Sequence, residues 1–204
     1  MTKVFVIGLT GSTGAGKSEV ARIMAERPSW AIIDADVISR RVVKKGQPAL
    51  NALTEHFSTD ILNEDGTLNR KRLAEKAFSS PEETAALNAI VHPAVIREIK
   101  RELSVAAQHG KMIAVIDAPL LLQAGVDTIC HYTVAVISTP ELRKARIMAR
   151  DGLTTEEADR RMRAQPSDEY YGERVSSVLY NLGDRESLRE AAERLCEEVE
   201  GMAV

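Results

Sequence analysis

Lys17 and Ser18 close the run Gly11-Ser12-Thr13-Gly14-Ala15-Gly16-Lys17-Ser18, a lysine and a hydroxyl set behind a loop of small residues. Their spacing is that of G-x-x-x-x-G-K-[ST], the phosphate-binding P-loop. The chemistry needs each residue type where it stands. Glycines let backbone N–H groups curl inward around an anion, which larger side chains would obstruct. A helix beginning near Gly16 adds unpaired N–H groups and the positive end of its dipole. Lys17 reaches the β- and γ-phosphates of a nucleotide, and the Ser18 hydroxyl is a ligand for Mg²⁺. Gly11, Gly14, Ala15, Gly16, Lys17, Ser18 and the following Glu19 form the expected nucleotide-binding set. A dinucleotide-binding G-x-G-x-x-G is excluded, because Glu19 stands where the third glycine is needed.

A P-loop names a ligand, not a reaction. No N-K-x-D base-reading motif follows, which argues against a GTPase-type switch. Two carboxylates do follow: Asp34 and Asp36 end the apolar run "WAIIDAD", where open α/β sheets bind their ligands. Two residues apart in extended chain, they share a face. A carboxylate there can accept the proton of an attacking hydroxyl, and Asp34 is the expected general base. Asp36 is also placed to N-cap a helix from Val37.

The elements that must hold these residues follow from hydrophobic pattern. Continuous apolar runs at residues 3–9, "WAIID", "KMIAVID" and "YTVAVIS" read as buried parallel strands, with "SSVLYN" a weaker last one. Between them lie helical patterns. "KSEVARIM" closes before Pro28, "TPELRKARIMAR" starts with Thr139 as N-cap and Pro140 at the first position, and residues 184–200 form an amphipathic final helix. "PEETAALNAIVHPAVIREIKRELSVAAQ" reads as a long helix with a kink or break expected at His92-Pro93. Alternating strands and helices predict an α/β fold of the P-loop NTPase type, three layers around a parallel sheet.

The 204 residues suffice for one such domain, and the net charge of −3 gives no global field for nucleic acid or an anionic membrane. The opening apolar run is too short to cross a bilayer. Cys130 and Cys196 form no metal spacing or disulfide framework, which fits a reducing cytoplasm.

Taken in order, the P-loop, Asp34-Ala35-Asp36, Arg40, "GQPAL", "HF", "DGTLNR", "LNAIVHP" and "DAPLL" resemble the dephospho-CoA kinase family. The likeness runs from residue 4 to about 183 and continues through Arg146–Asp151, Ala164-Gln165 and Asn181. It implies a five-stranded parallel core at about 1–36, 110–140 and 174–204. A helical acceptor-binding insertion at about 37–109 and a lid at about 141–173 complete the single domain. The implied reaction is transfer of the γ-phosphate of ATP, with Mg²⁺, to the ribose 3′-hydroxyl of dephospho-CoA, by a monomer or small homo-oligomer.

The resemblance also implies site roles. Asp34 is the base, Lys17 the phosphate clamp, and Ser18 with Asp117 the metal-side pair. Asp36, Arg40, His92 and Pro93 line the acceptor site, and Asn181 belongs to the nucleotide site. Arg146 and Arg150, one helical turn apart, clamp the transferring group as the lid closes. Arg143 falls on a neighbouring face and is left outside the set. Two departures stand out: Leu122-Gln123 where the family often has an acid, and Val175-Ser176 where it usually reads Ala-Asp. Another small-molecule kinase of the same architecture, or a nucleotide-binding protein without turnover, is the competing reading.

Overall fold

The computed structural model describes residues 4–203. The chain divides into two compact units, one of residues 1–33 and 103–204, the other of residues 34–102.

In the first unit, β1 (Phe5–Gly11) leads through the glycine loop into α1 (Lys17–Met24) and then β2 (Trp30–Asp34), whose last residue opens the second unit. The chain returns in β3 (Ile113–Asp117) and β4 (Tyr132–Ile137). Three helices follow, α6 (Pro140–Asp151), α7 (Thr155–Arg163) and the short α8 (Asp168–Gly172). The last strand and helix are β5 (Ser177–Tyr180) and α9 (Arg185–Met202). The expected strand over 3–9 is thus β1; residue 3 lies outside the described residues.

The five strands lie in the order β2-β3-β1-β4-β5. The pairings of β1 with β3, β1 with β4 and β4 with β5 are parallel. With β3 on one side of β1 and β4 on the other, the strand order switches direction at the carboxyl end of β1, where such sheets bind ligands. Both faces of the central strands are covered: Ile7 and Leu9 on one side and Val6 and Thr10 on the other are all buried. Hence these strands read as unbroken apolar runs rather than alternating ones. Ile23, Met24, Leu195 and Val199 from α1 and α9 pack against Ile7, Val115 and Val134. Each fully buried aliphatic side chain contributes roughly 1.5–3 kcal/mol.

The second unit is helical: α2 (Ala35–Val42), α3 (Pro48–Phe57), α4 (Arg70–Ala77) and most of α5 (Pro81–Gln108). Two sequence expectations are corrected here. The N-cap of α2 is Asp34, whose carboxylate accepts the Val37 N–H at 2.9 Å, so Asp36 lies inside the first turn and is not the cap. And α5 continues through His92-Pro93 without a break. Pro93 withholds one donor from the carbonyl of Ala89, but both residues are exposed and water can serve that carbonyl. Beyond Pro93, buried Ala94, Val95 and Ile99 keep the helix packed. Among the described residues no helix is long and apolar enough to cross a membrane.

Candidate active site

The loop between β1 and α1 is shaped by neighbours that leave no room for side chains. Gly14 sits at φ 81°, and a Cβ there would lie 2.7 Å from the Arg143 carbonyl oxygen. Gly16, at φ 102°, would bring a Cβ within 2.3 Å of Asn181 Nδ2. Only glycine meets both demands at once. The Ala15 N–H donates to the Ser12 carbonyl at 3.1 Å, closing the turn. Helix α1 then starts at Lys17, and its first N–H groups have no intrahelical acceptor. An anion is the natural partner for them.

Lys17 donates through Nζ to Asp117 Oδ1, and both side chains are about 15% exposed. The pair exists because Asp117 ends β3 in register with Leu9 of β1, the strand that feeds the loop. Ser18 is exposed in the first turn of α1. Glu19 turns instead to Arg22, whose guanidinium holds its carboxyl below the usual carboxylate range.

Two arginines of α6 brace the loop from the side. Arg146 donates to the Gly14 carbonyl at 3.2 Å, to Ser138 Oγ at 3.2 Å and to Asn181 Oδ1 at 3.3 Å. Asn181, 3% exposed just after β5, donates its Nδ2 to the Ala15 carbonyl at 2.7 Å. Its own N–H donates to the Ile137 carbonyl at 2.7 Å, and its carbonyl accepts from Ser138 Oγ at 2.6 Å. Asn181 is thereby fixed on four sides.

Arg143, outside the expected set, is the second arginine on the loop. It is buried, at 6% exposed, and donates to the Thr13 carbonyl at 3.1 Å and to Gln165 Oε1 at 3.1 Å. Gln165 in turn accepts the Thr13 N–H at 2.9 Å and donates to Thr13 Oγ1 at 3.0 Å. Asp168 lies 3.6 Å from Arg143, its pKa raised by burial and lowered in part by that guanidinium. The signal was present: Arg143 precedes buried Ile147 by four residues and shares its face. Arg150, one turn beyond Arg146, pairs with Asp151 at 2.7 Å and is more than half exposed. The first unit thus brings together Gly14, Ala15, Gly16, Lys17, Asp117, Arg146 and Asn181, while Arg150 is held by its neighbour. The departure at Val175-Ser176 serves the sheet: Ser176 Oγ accepts the Thr133 N–H at 3.0 Å, and Thr133 Oγ1 accepts the Ser176 N–H at 2.9 Å.

In the second unit, Asp34 and Asp36 are exposed at the start of α2, and Arg40 is exposed in its last turn. His92 is half-buried in α5, and that burial lowers its pKa; Pro93 beside it is exposed.

A five-stranded sheet in this order, with a glycine loop after β1, a loop lysine paired to the end of β3 and arginines braced on the loop, defines a P-loop kinase. Solved structures share this fold. A Thermus thermophilus protein matches with a TM-score of 0.78 and 34% identity over 96% of this chain and 97% of that one. Shikimate kinase from Acinetobacter baumannii shares the fold at a TM-score of 0.57 and 16% identity, over 98% and 95% of the two chains. The family model for dephospho-CoA kinase matches residues 5–186. A dephospho-CoA kinase of Corynebacterium efficiens is 44% identical over 193 residues, 95% of this chain and 96% of that protein. One from Corynebacterium glutamicum is 42% identical over the same coverage. The chain belongs to the dephospho-CoA kinase family. It is a kinase, and the family's reaction is the final step of coenzyme A synthesis.

Proposed function

We propose that this chain transfers the γ-phosphoryl group of ATP to the ribose 3′-hydroxyl of dephospho-CoA, giving coenzyme A and ADP. The observation that carries the reading is the loop itself, backed by the Lys17–Asp117 pair and braced by Arg146 and Asn181. Backbone N–H groups of Gly14, Gly16, Lys17 and Ser18 cradle the phosphates. Lys17 clamps the β- and γ-phosphates, and Gly11, Ala15 and Glu19 complete the nucleotide-binding set. Asn181 keeps the Ala15 peptide turned and Arg146 aimed.

The residues present fit Mg²⁺. Ser18 offers a hydroxyl and Asp117 a carboxylate, both hard oxygen donors. Mg²⁺ commonly takes only one or two protein ligands, with phosphates and water filling the rest. Among the described residues no group of three or more His, Cys, Asp or Glu is placed to hold a metal. When bound, Mg²⁺ neutralises charge on the phosphates.

Asp34 is the base, accepting the 3′-hydroxyl proton as that oxygen attacks. Asp36, Arg40, His92 and Pro93 orient the acceptor. Arg146 stabilises charge on the transferring group, and Arg150 joins it on leaving Asp151 as the lid, residues 141–173, closes. The core of residues 1–36, 110–140 and 174–204 carries the donor, and the insertion of residues 37–109 the acceptor. Two free thiols, Cys130 and Cys196, support a cytoplasmic setting. The acidic balance supports small-molecule rather than nucleic-acid partners. A monomer or small homo-oligomer suffices for this chemistry.

An acceptor panel tests the reading. Coupled ADP release with ATP and Mg²⁺ should depend on dephospho-CoA, with AMP, adenosine and shikimate giving far lower kcat/KM. A rival acceptor that outperforms dephospho-CoA would keep the kinase and discard the substrate.

A further inference from the structure

Within the second unit a cavity of about 460 Å³ is lined by Arg40, Val43, Lys44, Lys45, Leu68 and Arg70. Val43 is buried and Leu68 half-buried, so the floor is apolar and the rim carries the charge. Most other cations of this unit are taken up. Arg41 pairs with Glu98 and Glu102, Arg101 with Glu98, and Lys76 with Asp60. Arg72 donates to the carbonyls of Asp60 and Leu62, and Lys45 to that of Asp65. Among the described residues, the side chains of Arg40, Lys44 and Arg70 have no ion-pair or hydrogen-bond partner, and all three converge on the one cavity. Arg70 moreover opens α4, whose first turn holds no acid to meet the helix dipole. Three unpaired cations beside a helix start are an arrangement that an anion completes.

We propose that this cavity binds the diphosphate group of the acceptor, with Lys44 and Arg70 as binding residues beside Arg40. The assignment rests on the acceptor being dephospho-CoA. In that molecule the charged group is a diphosphate on the 5′ carbon of the same ribose whose 3′-hydroxyl reacts. Asp34 caps α2 and Arg40 lies in its last turn, about 9 Å farther along the axis. One ribose and one arginine side chain bridge such a span. Arg40 and Lys44 are four residues apart, and the turn after α2, closed by the Lys44 N–H on the Arg41 carbonyl at 3.1 Å, carries that face onward. Two cations on the α2 side and one at the start of α4 then grip the diphosphate, while the apolar floor leaves space for the chain beyond it.

The test is calorimetric titration of dephospho-CoA into the whole chain with ADP held at saturation, so that no transfer occurs. Lys44→Ala and Arg70→Ala should each weaken dephospho-CoA binding by about tenfold or more, as for loss of a charged hydrogen bond. Arg70→Lys should recover most of the loss. Lys71→Ala, on the same turn of α4 but outside the cavity, should change the affinity less than twofold. Wild-type affinity in both alanine variants would overturn the proposal, as would equal weakening by Lys71→Ala. Weakened ADP binding with unchanged dephospho-CoA binding would assign the cavity to the donor and overturn it too. A wild-type chain that fails to bind dephospho-CoA at all would instead overturn the acceptor, and with it the ligand assigned to this cavity. Unchanged thermal midpoints show that the variants are folded.

Discussion

Lys17, the first residue of α1, is ion-paired with Asp117, the last residue of β3, across the end of the strand pair β1–β3. The pair holds a cation and a carboxylate together at the mouth of the loop, one suited to phosphate and the other to a metal. Lys17→Ala should lower nucleotide affinity and turnover together, the rate by about 10²–10³, as for loss of one donor to developing charge. Asp117→Asn should raise the Mg²⁺ concentration needed for half-maximal rate. Nucleotide titrations and rates at varied Mg²⁺ check both.

Asp34 caps α2, and the base role proposed for it is separable from that. As N-cap it accepts the Val37 N–H, a job asparagine does equally well. The proposed base role needs a carboxylate. Asp34→Asn should keep wild-type stability and lose about 10²–10⁴ in kcat. Asp34→Ala should lose the same activity and in addition about 1 kcal/mol of stability from the missing cap. Urea unfolding beside steady-state kinetics distinguishes them; an active Asp34→Asn chain would remove Asp34 from the chemistry.

Gly16 and Asn181 are coupled by space. A Cβ on Gly16 would sit 2.3 Å from Asn181 Nδ2, and that same amide holds the Ala15 carbonyl. Asn181→Ala should cost about 1–3 kcal/mol, the desolvation penalty of a buried carbonyl left unmatched. Gly16→Ala should cost less in the Asn181→Ala background than in wild type, because the clash is gone and only the positive φ remains. A double-mutant cycle by denaturant unfolding reads this non-additivity directly.

Burial pushes the Cys130 thiol up to about 12 and the Cys196 thiol up to about 11. The thiolate is the reactive form, so iodoacetamide at pH 8 should label neither in the folded chain and both after denaturation. The sign for stability follows. The unfolded thiols ionise above about pH 8.5 while the folded ones stay protonated, so their contribution is complete below that pH and is lost as pH rises toward 11–12. Labelling of the folded chain at a free-thiol rate would contradict the burial.

What could be read from the chain alone depended on the range of the interaction. The P-loop was legible because its chemistry fixes residue types at fixed offsets. The strands were legible because β1, β3 and β4 are covered on both faces and so carry unbroken apolar runs. Helical phase sets Arg143 on the face of buried Ile147 but does not report what lies opposite. Its partners, Thr13 and Gln165, are 130 and 22 residues away. Asp34 rather than Asp36 caps α2 because the helix starts at Ala35, a shift no local rule forbids. Pro93 does not break α5 because Ala89, whose carbonyl loses its donor, is exposed to water, which only the packed helix reveals.

Identifying the product tests the proposed reaction at its reacting atoms. The chain is incubated with ATP, Mg²⁺ and one equivalent of dephospho-CoA, and the quenched mixture is read by mass spectrometry and phosphorus NMR. One ADP per acceptor consumed is expected, with a new phosphomonoester on the ribose 3′-oxygen, that is, coenzyme A. ADP formed without loss of dephospho-CoA, or a phosphate on any other oxygen of the acceptor, would contradict it.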